Sequence, residues 1–134
     1  MEAGTTPTWF GTWNDVEPYE LFPNVKLHAI GGDQVLLCRV TYAPGAQVKR
    51  HNHEQTEQVM FLLEGDVTMI VAGEQRTMRP GDVAVINKGI DHELTSESGC
   101  TFIEALAPVL LDHVGDRDRD LILGPDQGAT HIPA

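Results

Sequence analysis

The chain has 134 residues and a formal net charge of −11, from 9 Lys+Arg against 20 Asp+Glu. That length makes one domain, and that acidity repels phosphate backbones and anionic lipid surfaces, so neither nucleic acid nor a membrane is expected as a partner. Hydrophobic residues make up 41%, enough for a packed core, yet no apolar run is long enough to span a bilayer.

The segment Met1–Phe10 lacks the basic start and apolar stretch of a signal peptide. Its first eight residues are small, polar and interrupted by Pro7, and are expected to form a loose arm. Trp9, Phe10, Trp13, Tyr19, Leu21 and Phe22 then crowd together in a stretch broken by Pro18 and Pro23. Such a segment is no regular helix and cannot stay wet. Residues 1–24 are therefore expected to be an N-terminal arm packed on a barrel wall or on a partner subunit. A homodimer follows from that expectation.

From Val25 the texture is uniformly β. Strands are expected at Val25–Ile30, Val35–Tyr42, His51–His53, Gln58–Leu63, Val67–Val71, Gln75–Met78, Val83–Ile86, His92–Ser96 and Cys100–Leu106. Between them lie turn signals such as Gly31-Gly32-Asp33, Pro44-Gly45, Ala72-Gly73-Glu74, Pro80-Gly81-Asp82 and Lys88-Gly89. Short strands punctuated this regularly predict an antiparallel sandwich or barrel, here residues 25–110. Helix signals are weak, with a single turn near Leu110–Val114. Beyond it, residues 111–134 read as a C-terminal tail in which Asp116, Asp118 and Asp120 alternate with Arg117 and Arg119 before the apolar triplet Leu121-Ile122-Leu123. Cys38 and Cys100 sit in apolar strands and read as buried reduced thiols of a cytoplasmic protein.

His51 and His53 are two apart in a strand-like segment, so alternation sends both side chains, and Lys49, to one face. Gln58, Met60 and Leu62 form a second same-face set, and His92 opens a later strand. Imidazoles held on adjacent strands of a rigid barrel can converge on one divalent ion.

The spacing runs Gly45, five residues, His51, one residue, His53, four residues, Gln58, six residues, Gly65. Fifteen residues later come Gly81, five residues, Asn87, one residue, Gly89, two residues and His92. This pattern resembles the paired motifs of the cupin superfamily: glycine, His-x-His, an acidic or amide ligand and glycine, then glycine, Pro-x-Gly and histidine. The resemblance spans roughly Val35 to Leu106. It implies an all-β jelly-roll barrel with one divalent transition metal per subunit (Zn, Ni, Co, Mn or Fe) in its mouth, held by His51, His53, Gln58 and His92. Glu57 is the rival to Gln58 if a bulge shifts the strand. Asn87 stands where proline is usual, and Ser96 replaces a closing asparagine.

Three neutral imidazoles and an amide leave such an ion its full double charge, which favours Lewis-acid work on a carbonyl or enol. Lys49 and Glu104 are the candidates to move a proton, with Arg39 and Tyr42 on neighbouring strands. His28, His113 and His131 fall outside the motifs and are expected at the surface or in the tail. Asp82 is expected to bond backbone amides of its turn. Met60, Leu62, Val85 or Ile86, Leu94 and Phe102 are expected to line the lumen, which suits a small, partly apolar organic substrate. The pattern is similar to the cyclase-type cupins of aromatic polyketide pathways and to pectin-degradation cupins. The expected function is thus non-oxidative cyclisation, isomerisation or elimination. A dioxygenase using iron or nickel and a non-catalytic metal- or ligand-binding cupin are the alternatives.

Overall fold

The computed structural model describes residues 10–110 and 113–114. Ten strands follow a short 3₁₀ turn at Trp13–Asp15: β1 Tyr19–Phe22, β2 Val25–Gly31, β3 Leu36–Tyr42, β4 Ala46–His51, β5 Glu57–Gly65, β6 Val67–Val71, β7 Glu74–Met78, β8 Val83–Ile86, β9 His92–Ser96 and β10 Cys100–Ala107. All pairings are antiparallel. They form a six-stranded sheet ordered β1-β2-β3-β10-β5-β8 and a four-stranded sheet ordered β4-β9-β6-β7. Two facing antiparallel sheets that pair strands far apart in sequence, β3 with β10, β10 with β5 and β4 with β9, make a jelly-roll barrel.

Period-two alternation decides which side chains enter it. On the larger sheet Leu27, Cys38, Val40, Met60, Leu62 and Phe102 point into the core, and on the smaller sheet Val48, Val67, Met69 and Leu94 meet them. Burying each of these large side chains stabilises the fold by about 1.5–3 kcal/mol before chain entropy opposes it. Ile86 is buried while Val85 is 56% exposed, so β8 turns Ile86 inward.

One turn depends on glycine. Gly65 has φ 76°, and a Cβ there would lie 2.1 Å from the carbonyl oxygen of Gly99. The turn after β5 and the turn before β10 therefore press backbone on backbone, which a side chain would prevent.

Two boundaries differ from the sequence expectation. Tyr19–Phe22 pairs with β2 as an edge strand, so sheet structure begins inside residues 1–24. The strand expected at His51–His53 starts at Ala46 and ends at His51, because Ala46 and Val48 bury their side chains ahead of the histidines. Trp9 and residues 115–134, including Leu121-Ile122-Leu123 and His131, lie outside the described residues. Among the described residues no helix is long and apolar enough to cross a membrane.

The outer face of the larger sheet is unusually apolar. Val59, Phe61, Leu63, Val83 and Val85 are all exposed there. Register pairs Val59 with Val85 and Phe61 with Val83, which joins them into one patch.

Candidate metal centre

The site begins with an irregularity in β4. Ala46 and Val48 face inward, but the β4–β9 register shifts between Val48 and His51. Lys49 and Arg50 are consequently both exposed in succession, and the inward parity passes from even to odd positions at His51. A bulge of this kind re-aims side chains. It corrects the expectation for Lys49: simple alternation placed it beside the histidines, whereas its side chain is exposed and absent from the cavity lining.

His51 lies directly opposite His92 in the β4–β9 register. His53 sits in the loop after β4, where its carbonyl oxygen accepts a hydrogen bond from the Gly89 amide at 2.8 Å. Asn52 donates through Nδ2 to Asp91 Oδ1 at 2.8 Å. These two bonds tie the loop carrying His53 to the loop that delivers His92. One ring nitrogen from each of His51, His53 and His92 lies within 4.8 Å of the other two, close enough to hold a metal ion. Ring centroids are 4.3 Å apart for His51 and His92 and 5.0 Å for His51 and His53.

Tautomers follow from the backbone. His51 Nδ1 meets the Lys49 carbonyl at 2.7 Å, and His92 Nδ1 meets the Ile90 carbonyl at 3.0 Å. A carbonyl only accepts, so each Nδ1 carries the proton and each Nε2 keeps a lone pair. Burial pulls the His92 pKa below the ordinary imidazole value, with the Ile90 hydrogen bond opposing and His51 adding to the depression. That direction favours the neutral imidazole, the form that binds metal.

Gln58 faces inward on β5 at 5% exposure, whereas Glu57 is exposed. Its Nε2 donates to Glu104 Oε1 at 2.6 Å. Gln58 Oε1 and His92 Nε2 are both buried without a hydrogen-bond partner. Buried polar atoms of native proteins nearly always have one. Two orphaned lone pairs beside two further imidazoles fit a bound cation, and the donor set of nitrogens and one amide oxygen suits a divalent transition metal.

Glu104 shares the inward row of β10 with Phe102 and Leu106 and is 3% exposed. Its Oε2 lies 3.7 Å from His113 Nε2. His113 is 8% exposed, and its ring is 5.9 Å from that of His53. The expectation that His113 belongs to the surface or tail is therefore corrected. Thr56 Oγ1 donates to the Pro108 carbonyl at 3.0 Å, and the His113 amide donates to Leu110 O at 3.0 Å, so the chain leaving β10 curls back over the site. The single turn expected near Leu110–Val114 was the available signal; its direction was not readable.

The histidines, Gln58 and Glu104 line a cavity of roughly 230 Å³ whose walls include Leu27, Val40, Val48, Leu94 and Phe102. Met60 and Leu62, expected to line the lumen, are buried in the core and absent from the cavity lining. Tyr42 also lines the cavity, edge-on to Phe102 at 5.5 Å, and burial pushes its phenol far above the ordinary tyrosine value. Arg39 and His28 are register partners at half-buried positions away from the cavity. Burial, then the Arg39 charge, lowers the His28 pKa. Asp82 Oδ2 accepts from the Arg79 amide at 2.9 Å, as its turn predicted.

The family model described as "Cupin domain" matches residues 38–105. The pectin degradation protein KdgF of Dickeya dadantii is 28% identical over 102 residues, covering 74% of this chain and 93% of that protein. The oxalate-binding protein of Thermotoga maritima is 29% identical over 76 residues, covering 57% of this chain and less than two thirds (62%) of that protein. Among solved structures, KdgF from Halomonas sp. superposes with a TM-score of 0.72 at 21% identity, over 81% of this chain and 100% of that one.

Proposed function

The chain belongs to the cupin domain family, and from that premise we propose that it is a metal-dependent enzyme acting on a small carbonyl or enol compound. His51, His53, Gln58 and His92 hold one divalent transition metal, and the observation that carries this is the pair of buried, unpartnered atoms Gln58 Oε1 and His92 Nε2 beside the clustered imidazoles. When bound, such an ion supplies Lewis acidity toward a carbonyl or enolate oxygen.

The chain's own residues do the rest. Glu104 is the proton-handling group, because it lines the cavity while Lys49 does not. His113 stands at its second oxygen and keeps it from bulk water. Leu27, Val40, Leu94 and Phe102 offer an apolar wall, which favours a partly apolar, polyketide-type intermediate over a fully hydroxylated sugar. The likeness to a pectin degradation protein supports an enzymatic role. Cyclisation, isomerisation or elimination without oxygen is the reaction type.

The test is turnover of polyketide-type β-dicarbonyl substrates by metal-loaded protein, in air and under strict anaerobiosis. Equal rates are expected; stoichiometric oxygen uptake would make the enzyme a dioxygenase instead. A second reading, a ligand-binding cupin without turnover, is favoured by the likeness to an oxalate-binding protein. Saturable oxalate binding with no chemistry on any such substrate would select it.

The working unit in this proposal is a homodimer in the cytoplasm. The patch of Val59, Phe61, Leu63, Val83 and Val85 supports a second copy as its cover, since five exposed apolar side chains together favour a dry partner. Gel filtration is expected to show twice the chain mass, falling to the monomer in Phe61→Glu. A monomeric wild-type protein would refute the dimer.

A further inference from the structure

Unlike the imidazoles, Gln58 offers the cavity two chemically opposite ends. Its amide oxygen attracts a cation, and its NH₂ group repels one. At 5% exposure the side chain has no bulk water to balance the two orientations.

Glu104 breaks the tie. A Glu104 carboxyl oxygen accepts from Gln58 Nε2 at 2.6 Å, so the amide nitrogen is the end that faces it. The amide oxygen is then the end left over, buried and unpartnered. Glu104 is itself braced, with its other oxygen 3.7 Å from His113 Nε2. Phe102 and Leu106 flank it on the same inward row, so the carboxylate has little room to turn.

We propose that Glu104 is a positioning residue for the metal centre: it locks the Gln58 amide with its oxygen available beside the three imidazoles, and so sets the affinity for a divalent ion. The inference rests on the metal-centre reading above and gives Glu104 an orienting role toward Gln58 beside the proton handling proposed for it. Groups that orient a ligand in this way typically carry tenfold to hundredfold in affinity.

The experiment is a titration of the chelator-stripped protein with cobalt(II) chloride, read by calorimetry and by the visible absorption of the bound ion. Glu104→Met, which has similar volume and no acceptor, is expected to weaken cobalt binding at least tenfold and to shift the visible bands. Glu104→Gln keeps an oxygen that can accept from Gln58, and is expected to stay within about threefold of wild type. The decisive background is Gln58→Glu, where a carboxylate presents oxygen whichever way it lies. There, adding Glu104→Met is expected to leave cobalt binding unchanged or tighter, since it also removes a like charge.

Equal losses from Glu104→Met in both backgrounds would mean a merely structural role and would overturn the proposal. So would no loss at all in the Gln58 background. If Glu104→Met does not fold, Glu104→Gln decides, and a loss as large as that of Gln58→Ala refutes the orienting role. A folded wild-type protein that binds no cobalt would remove the metal centre itself, an outcome distinct from all of these.

Discussion

His51 and His92 face each other across the β4–β9 pair, and each gives its Nδ1 proton to a carbonyl two residues earlier, Lys49 O at 2.7 Å and Ile90 O at 3.0 Å. The backbone thereby fixes both tautomers before any ion arrives. Nitrogen-15 spectra of the zinc-loaded protein should show both Nδ1–H groups protected from exchange and both Nε2 resonances shifted by ligation. Rapidly exchanging Nδ1 protons would mean that the rings are free to turn.

His113 contacts Glu104 rather than joining the close imidazole cluster. Removing it should therefore separate chemistry from metal binding. His113→Ala is expected to retain wild-type metal content and lose roughly tenfold to a hundredfold in turnover. Metal loss in parallel with activity would contradict that separation and show that His113 supports metal binding, directly or through Glu104.

Gly65 closes its turn against Gly99 with φ 76° and no space for a Cβ. Gly65→Ala should cost about 2–4 kcal/mol, from backbone strain and the displaced carbonyl together. Urea unfolding measures this directly. A cost below about 0.5 kcal/mol, the range of ordinary surface changes, would show that the turn relaxes freely.

Burial raises the Cys100 thiol above its ordinary value near 9.0, with the Asp66 charge adding and hydrogen bonds from Ser96 and Tyr42 opposing. Burial raises the Tyr42 phenol as well. Groups that hold their protons more tightly when folded stabilise the fold fully below their unfolded values and lose that contribution as pH rises through the folded ones. Thermal stability should thus fall progressively above about pH 9, and Cys100→Ala should flatten the first part of that fall. An unchanged alkaline slope in Cys100→Ala would rule out its contribution.

The barrel was legible because its signals are local. Glycines at 45, 65, 81 and 89 take positive φ in the turns, and alternating apolar residues such as Val25, Leu27 and Ala29 declare an inward face. The grouping of His51, His53, Gln58 and His92 came instead from the resemblance of their spacing to the paired cupin motifs, and all four line one cavity. Lys49 was misplaced because a bulge leaves no mark in the sequence: alternation from His51 back to Lys49 fails at the register shift after Val48. His113 was missed for a different reason. Its approach depends on contacts between distant segments, Thr56 to Pro108 and His113 to Glu104, which no local pattern encodes. Glu104 stood between these cases, its inward direction settled once Phe102 and Leu106 were seen to be buried beside it.

The most direct test is elemental analysis of the protein and of His51→Ala, both purified from cells supplied with mixed transition metals and then dialysed. The account predicts about one divalent transition ion per wild-type chain and less than about a tenth of that in the variant. Equal metal in the two proteins, or none in a folded wild type, would contradict it.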